Sequence, residues 1–497
     1  MNTFISALEE RFNYKFTENG AVALTTTGSK VYDMFAFGAA YRNRSDSDCL
    51  LLFKKAYEED PILALKCLFY IRDCRGGQGE RRFFRICMRW LARTYPTVAA
   101  NLIEQIPEYG RYDDLFELFN TPVESAVLQF ITDQLVLDMG SIVDNDIKGI
   151  SLLAKWMPSE NAHSKIAKER ARKIRQYIGM TPKEYRQMLS KLRMHINVLE
   201  RLMSANRWEE IKFDKIPSKA GFIYRNAFAR RDIIAKKYED FIRNNETKVN
   251  TTTLYPYEIV KQARYYHNEV EREAINKYWT NLPDYLNGSD MSMMCVVDTS
   301  GSMCWPDLGN AGNVQPIDVA ISLGMYCAER MTGPFANKYI SFSSRPQLIK
   351  IEGIDFCNKV KRIYKTNLCE NTNLPAVFDL LMNTATFKKV KKSDIPKTIV
   401  VISDMEIDQA TGHKLDQRSI VTTMDRIRAK WNSVGLTLPK LVYWNVNARN
   451  NTILDNGPGV SFVSGCSPTI FKQVLTGKTG VELMLEILLS DRYKNIK

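Results

Sequence analysis

The strongest constraint in this 497-residue sequence is a set of short apolar runs that stop abruptly at polar residues. Met293–Asp298 (MMCVVD), Thr398–Ser403 (TIVVIS) and Leu441–Val446 (LVYWNV) are too short for core helices and lack the alternation of a half-exposed strand. Runs of this kind are strands buried on both faces, which demands helices above and below a mainly parallel sheet. Tyr339–Phe342 and Val460–Val463 read as further strands. Val319–Met331, Pro375–Met382 and the segment from Pro468 onward read as the helices between and after them. Strands alternating with helices define βαβ units, and residues 289–497 are long enough for one such α/β domain.

Residues 1–285 follow a different period. Apolar side chains recur every three or four positions in Ile62-Leu63-Leu65-Cys67-Leu68-Ile71 and in Phe83-Phe84-Cys87-Trp90-Leu91, as on amphipathic helices. Lys165–Trp208 is a run of helix formers broken at Gly179-Met180-Thr181-Pro182, where Thr181 fits an N-cap and Pro182 the first helical position. Ala21–Thr27 reads as extended or looped. Consecutive helical pairs without a strict period fit a loose HEAT-like solenoid, and a globular helical domain fits nearly as well.

Several classes are excluded by composition. No stretch approaches the ~20 uncharged apolar residues of a membrane helix. Pro61–Ile71, the longest run tested, carries Lys66. The start MNTFISALEERF lacks the basic opening and apolar centre of a signal peptide, so a cytoplasmic location is expected. Of ten cysteines none forms a CxxC pair, and four histidines give no zinc spacing, which predicts buried free thiols. No nucleophile motif lies near His163, His195, His267 or His413, so an enzyme is not expected.

The sharpest motif closes the first buried strand: Asp298-Thr299-Ser300-Gly301-Ser302-Met303. One carboxylate and two hydroxyls at spacing two offer only oxygen, which suits a hard cation such as Mg²⁺ or Mn²⁺. Gly301 lets the loop curl so that the side chains converge. Later, Glu370-Asn371-Thr372-Asn373 offers another hydroxyl before a helix, and Ile402-Ser403-Asp404-Met405 offers another carboxylate at a strand end. In motif order, strand context and spacing, residues 289–497 resemble a Rossmann-like von Willebrand factor A domain with its metal-ion-dependent adhesion site. That resemblance implies direct metal ligation by Ser300 and Ser302, by Thr372 directly or through water, and mainly water-mediated roles for Asp298 and Asp404. It also implies an open coordination position for an acidic group of a partner protein. The loop from Cys304 to Pro316 is long and could cover the site.

A helical array followed by an A domain is the layout of the Ro ribonucleoprotein, or TROVE-type, family. The N-terminal half is also similar to an uncharacterised set of Ro-like proteins. The likeness is carried by Ile71-Arg72-Asp73, Arg75-Gly76-Gly77-Gln78-Gly79-Glu80-Arg81, Tyr109-Gly110-Arg111-Tyr112-Asp113-Asp114-Leu115 and Ala154-Lys155-Trp156-Met157-Pro158-Ser159, then by Glu200, Met203-Ser204 and Trp208. It implies binding of structured or misfolded RNA. Charge points the same way: the chain carries a net +13, and residues 161–250 hold 22 Lys and Arg against 10 Asp and Glu. Lys165, Lys168, Arg170, Arg172, Lys173 and Arg175 are the candidate RNA contacts, since cations pair with phosphates regardless of sequence. Tyr177, Tyr185 and Tyr224 are candidate stacking rings, whereas Trp208 and Phe222 read as core anchors. The glycine-rich run Arg72–Arg82 invites a phosphate-cradling reading, but it lacks G-x-x-x-x-G-K-[ST] and no strand precedes it; an inter-helix turn held by Arg–Asp and Arg–Glu pairs is favoured over a ligand site. The expected function is RNA capture on a basic helical surface, with an A domain holding Mg²⁺ for a partner. The rival is a metal-dependent protein adhesion module that binds no RNA.

Overall fold

In the computed structural model, which describes residues 13–144, 146–196, 198–287, 292–304, 314–342, 345–365, 373–407, 422–455 and 457–497, the apolar runs pair into one sheet. A short antiparallel hairpin comes first, β1 (Tyr14–Phe16) and β2 (Val22–Leu24). After the helical half come β3 (Met293–Asp298), β4 (Lys338–Phe342), β5 (Gln347–Lys350), β6 (Thr398–Ser403), β7 (Lys440–Asn445) and β8 (Val460–Ser464). Their order is β5-β4-β3-β6-β7-β8, and every pairing is parallel except β4 with β5. The protein is therefore a mostly helical N-terminal region joined to a C-terminal α/β unit. Strand β5 escapes sequence reading because only Ile349 within it is buried, leaving no apolar run to find.

Chain direction across the sheet decides where a site forms. The strand after β3 lies on one side of it, while β6 lies on the other, so the two connections diverge between β3 and β6. In open α/β sheets that divergence leaves a crevice at the carboxyl ends of the strands. Both strands are buried throughout. Helix Pro316–Arg330 covers β3 closely, because Gly324 carries no side chain: a Cβ there would stand 2.4 Å from Val297 Cγ2.

The helical half is built from helices of 4 to 20 residues, interrupted by single 3-10 turns such as Tyr112–Leu118 and Trp208–Glu210. Their unequal lengths explain why no strict repeat is legible. Local signals hold: Thr181 and Glu184 form a capping box with Pro182 at the start of Pro182–His195, and Ser164 caps Lys165–Tyr177. The glycine-rich run is an inter-helix turn between Pro61–Arg72 and Arg81–Thr94. Gly77 is required there, since a Cβ would lie 2.1 Å from the Tyr70 carbonyl oxygen. Asp73 accepts from the Arg75 and Gly76 amides at 2.9 and 3.1 Å, and Glu80 pairs with Arg42 at 2.9 Å. Asp73 also accepts from Arg492 Nε at 2.8 Å and Tyr493 at 3.1 Å, so the C-terminal segment is tied to the helical half through a carboxylate.

Two sequence expectations need correction. Helix Glu124–Val143 is long and apolar enough by composition to cross a membrane, although Asp133 and Asp138 interrupt its apolar run. Here Val127, Leu128, Ile131 and Leu135 are buried, and Asp138 is buried while accepting from Ser151 at 2.9 and 2.7 Å. Among the described residues eight cysteines are free, seven of them buried, while Cys304 is disulfide-bonded rather than a free thiol.

Asp114 anchors this half. Fully buried, it accepts from Arg72 at 2.6 Å, Arg85 at 2.6 Å and the Arg111 amide at 3.0 Å. Asp114→Ala leaves guanidinium groups uncompensated and is expected to lower the unfolding free energy by about 3–5 kcal/mol, measured by urea denaturation.

Candidate functional site

The loops leaving β3 and β6 meet at the crevice. Asp298 closes β3, and its carboxylate accepts from the Ser300 amide at 2.9 Å and the Ser403 hydroxyl at 2.5 Å. The hydroxyls of Ser300 and Ser302 lie 3.1 Å apart, and Ser302 also hydrogen-bonds Asp404. Beyond β6 the chain reverses at Met405, whose φ of 67° is left-handed for a long side chain, and the Glu406 amide donates back to Asp404 at 3.2 Å. Asp298, Ser300, Ser302 and Asp404 are thus brought together. Thr372 lies outside the described residues, as does the loop 305–313.

Asp298 and Asp404 are both fully buried. Burial, then the negative charge of Asp404, pushes Asp298 up to about 7. Burial also raises Asp404, while Arg449 opposes the rise. Two buried carboxylates beside two hydroxyls form an oxygen-only donor set, the chemistry that a hard divalent cation satisfies. Among the described residues Asp404 Oδ2 is buried without a hydrogen bond: Arg449 Nη2 stands 3.0 Å away, close enough to pair by charge but not aligned to donate. Among the described residues no cluster of three His, Cys, Asp or Glu side chains forms a metal site, so any cation here relies on the serines. Sequence reading missed Arg449, and no motif signals it, because it follows a different strand.

A second feature lies in the helical half. A cavity of about 1590 Å³ opens among residues 42–258. Its described lining holds eleven Arg and Lys side chains and three Glu. Some cations are neutralised, such as Arg42 by Glu80 and Lys219 by Glu258 at 3.2 Å. Arg81, Arg186 and Arg201 have no ion-pair partner among the described residues. Burial, then the guanidinium groups of Arg85 and Arg111, pulls Arg81 below its ordinary value, and the nearby charges of Asp113 and Asp114 offset this only in part. Trp156 stands in the same wall, half-buried, with Arg111 4.1 Å from its ring centre.

The predicted RNA contacts lie elsewhere. Lys165, Lys168 and Arg172 are exposed on the helix Lys165–Tyr177. Arg170 pairs with Glu117 at 3.2 Å, Lys173 with Glu124 at 2.9 Å and Arg175 with Glu160 at 2.8 Å. None of the six lines the cavity. Tyr185 and Tyr224 do line it, Tyr177 is exposed, and Trp208 and Phe222 are buried in the core.

Comparison with known proteins follows this division. Residues 17–124 and 122–288 match the model of a family described as a domain of unknown function, DUF2828. The chain belongs to the DUF2828 family. Residues 292–492 match a second domain of unknown function, DUF7788. This DUF2828 chain is 30% identical over 521 residues to the uncharacterized protein L728 of Acanthamoeba polyphaga mimivirus, covering 96% of this chain and 87% of that one. Among solved structures, the Ro (RSR) protein of Deinococcus radiodurans overlaps 95% of both chains at 12% identity with a TM-score of 0.40.

In the DUF2828 chain Ser403 holds Asp298 in place. Ser403→Ala removes a donor from a buried carboxylate and is expected to cost about 1–3 kcal/mol of stability, read from thermal and urea unfolding.

Proposed function

We propose that this protein captures RNA, through unpaired or misfolded segments, in the cationic cavity of its HEAT-like helical half. The observation that carries the reading is the cavity wall itself: among the described residues, eleven cations stand against three carboxylates, and Arg81, Arg186 and Arg201 make no ion pair. Folding gains nothing from gathering unpaired guanidinium groups, so their concentration is best understood as a phosphate-binding surface. Trp156 adds a ring on which an unpaired base can stack. The resemblance of residues 71–208 to Ro-like proteins supports RNA over other polyanions.

The C-terminal half acts in this reading as a von Willebrand factor A-type module. Asp298, Ser300, Ser302 and Asp404 would hold Mg²⁺ or Mn²⁺, with Thr372 completing the set on the family pattern. Bound there, the cation supplies a Lewis-acidic position for an acidic group of a protein partner. The protein is a binder, and catalysis plays no part.

The rival, adhesion without RNA, separates cleanly. A 20-nucleotide single-stranded RNA, titrated at several salt concentrations, should bind the full chain. Replacing Arg81, Arg186 and Arg201 together with Gln should weaken binding at least about tenfold and flatten the salt dependence by ~0.7 per lost contact. The Lys168→Gln, Arg172→Gln pair should have a smaller effect. No RNA retention at low salt, with partner capture lost in Asp298→Ala, would favour the adhesion module instead.

A further inference from the structure

Asp404 already has a cation beside it. Arg449, in the loop after β7, places Nη2 3.0 Å from the buried Asp404 Oδ2. The same guanidinium extends Nη1 to Glu18 Oε2 at 2.6 Å. Glu18 stands in the turn between β1 and β2, far away in sequence, and that turn is held firmly against the sheet. The Glu18 amide donates to Glu406 Oε2 at 2.8 Å, the Asn19 side chain donates to the Glu406 carbonyl at 2.8 Å, and Asn450 donates to Glu18 Oε1 at 2.9 Å. Leu24 in β2 exchanges backbone hydrogen bonds with Ile453 at 2.7 and 3.0 Å. The hairpin leads directly into the helical half, so this half reaches the loops after β6 and β7 at the aspartate that a metal would use.

We propose that Arg449 is a built-in cation that competes with the divalent metal for Asp404, and that Glu18 turns this competition into a latch on the N-terminal hairpin. The inference rests on the metal reading given above. One buried carboxylate oxygen does not serve a guanidinium and a divalent ion together without strong repulsion between the two cations. A metal that draws Asp404 away leaves Arg449 to Glu18 alone, and the charged link between the hairpin and the loop after β7 tightens. By linkage the effect runs both ways: whatever detaches Arg449 from Asp404 tightens metal binding, and metal binding strengthens the Arg449–Glu18 pair that fastens the hairpin. Glu18 acts with the opposite sign. It shares the charge of Arg449, so removing its carboxylate leaves Arg449 to Asp404 alone and strengthens the competitor.

The test uses the full chain and Mn²⁺ alone. Calorimetry gives the Mn²⁺ affinity of the wild type and of Arg449→Gln, Arg449→Lys and Glu18→Gln, and amide hydrogen exchange follows residues 13–24 with and without metal. Arg449→Gln should bind about tenfold tighter, Arg449→Lys should stay close to wild type and Glu18→Gln should bind more weakly. Mn²⁺ should slow exchange in the wild-type hairpin and leave that of Arg449→Gln unchanged. Should Arg449→Gln fail to fold, the weakened affinity of Glu18→Gln and the wild-type exchange response carry the test. Equal Mn²⁺ affinities with an unresponsive hairpin would overturn the latch while leaving the metal site standing. Absence of Mn²⁺ binding in every folded variant would overturn the metal reading, and the latch with it.

Discussion

Two carboxylates share one dry crevice because the strands that carry them are neighbours. Asp298 closes β3 and Asp404 follows β6, and the parallel register pairs Val297 with Ile402 one step before the strands end. Neither carboxylate reaches solvent. Buried charges of one sign raise each other's pKa, and the fold compensates only in part, with two serine hydroxyls, backbone amides and one guanidinium. Much else at this edge follows from that requirement: the reversed backbone at Met405, the hydrogen bond from Ser403 and the approach of Arg449.

Charge is handled in the opposite manner in the helical half. Arg72 and Arg85 are neutralised by Asp114, and Arg42 by Glu80, with good geometry and little exposure. These pairs hold inter-helix turns. Arg81 feels Asp113 and Asp114 of the same network yet makes no ion pair among the described residues, and its charge is disfavoured where it stands. Residues that break the local rule in this way mark places where a fold has been shaped by something other than its own stability. The two halves are joined at both ends of the chain. The β1–β2 hairpin docks beside Asp404, and Arg492 and Tyr493 dock on Asp73.

Legibility in the sequence tracked how local each signal was. β3, β6 and β7 were readable because burial on both faces writes a continuous apolar run. The Thr181-Pro182 break was readable because a capping box needs only four consecutive residues. Asp298, Ser300 and Ser302 stood out because one loop carries them all. Basic residues proved harder to place. A dense stretch such as Lys165–Arg175 stands out in a count, yet half of its candidates are absorbed by Glu117, Glu124 and Glu160 from outside that helix. The cavity takes Arg72, Arg75, Arg81 and Arg82 from the one glycine-rich run, but its other cations come from turns and helices between residues 42 and 219, and no single window of sequence collects them all.

From its sequence alone the chain is bound to an α/β sheet behind a helical half, and to an oxygen-rich loop at the end of the first buried strand. Period and short-range spacing dictate those features, since both act between residues a few positions apart. Which carboxylate faces which guanidinium was settled only by the tertiary structure. Arg449 meets Asp404 and Glu18 because β7 lies next to β6 and a hairpin from the opposite terminus folds over both. Such meetings depend on how distant strands are ordered in a sheet, and strand order leaves no trace in local composition.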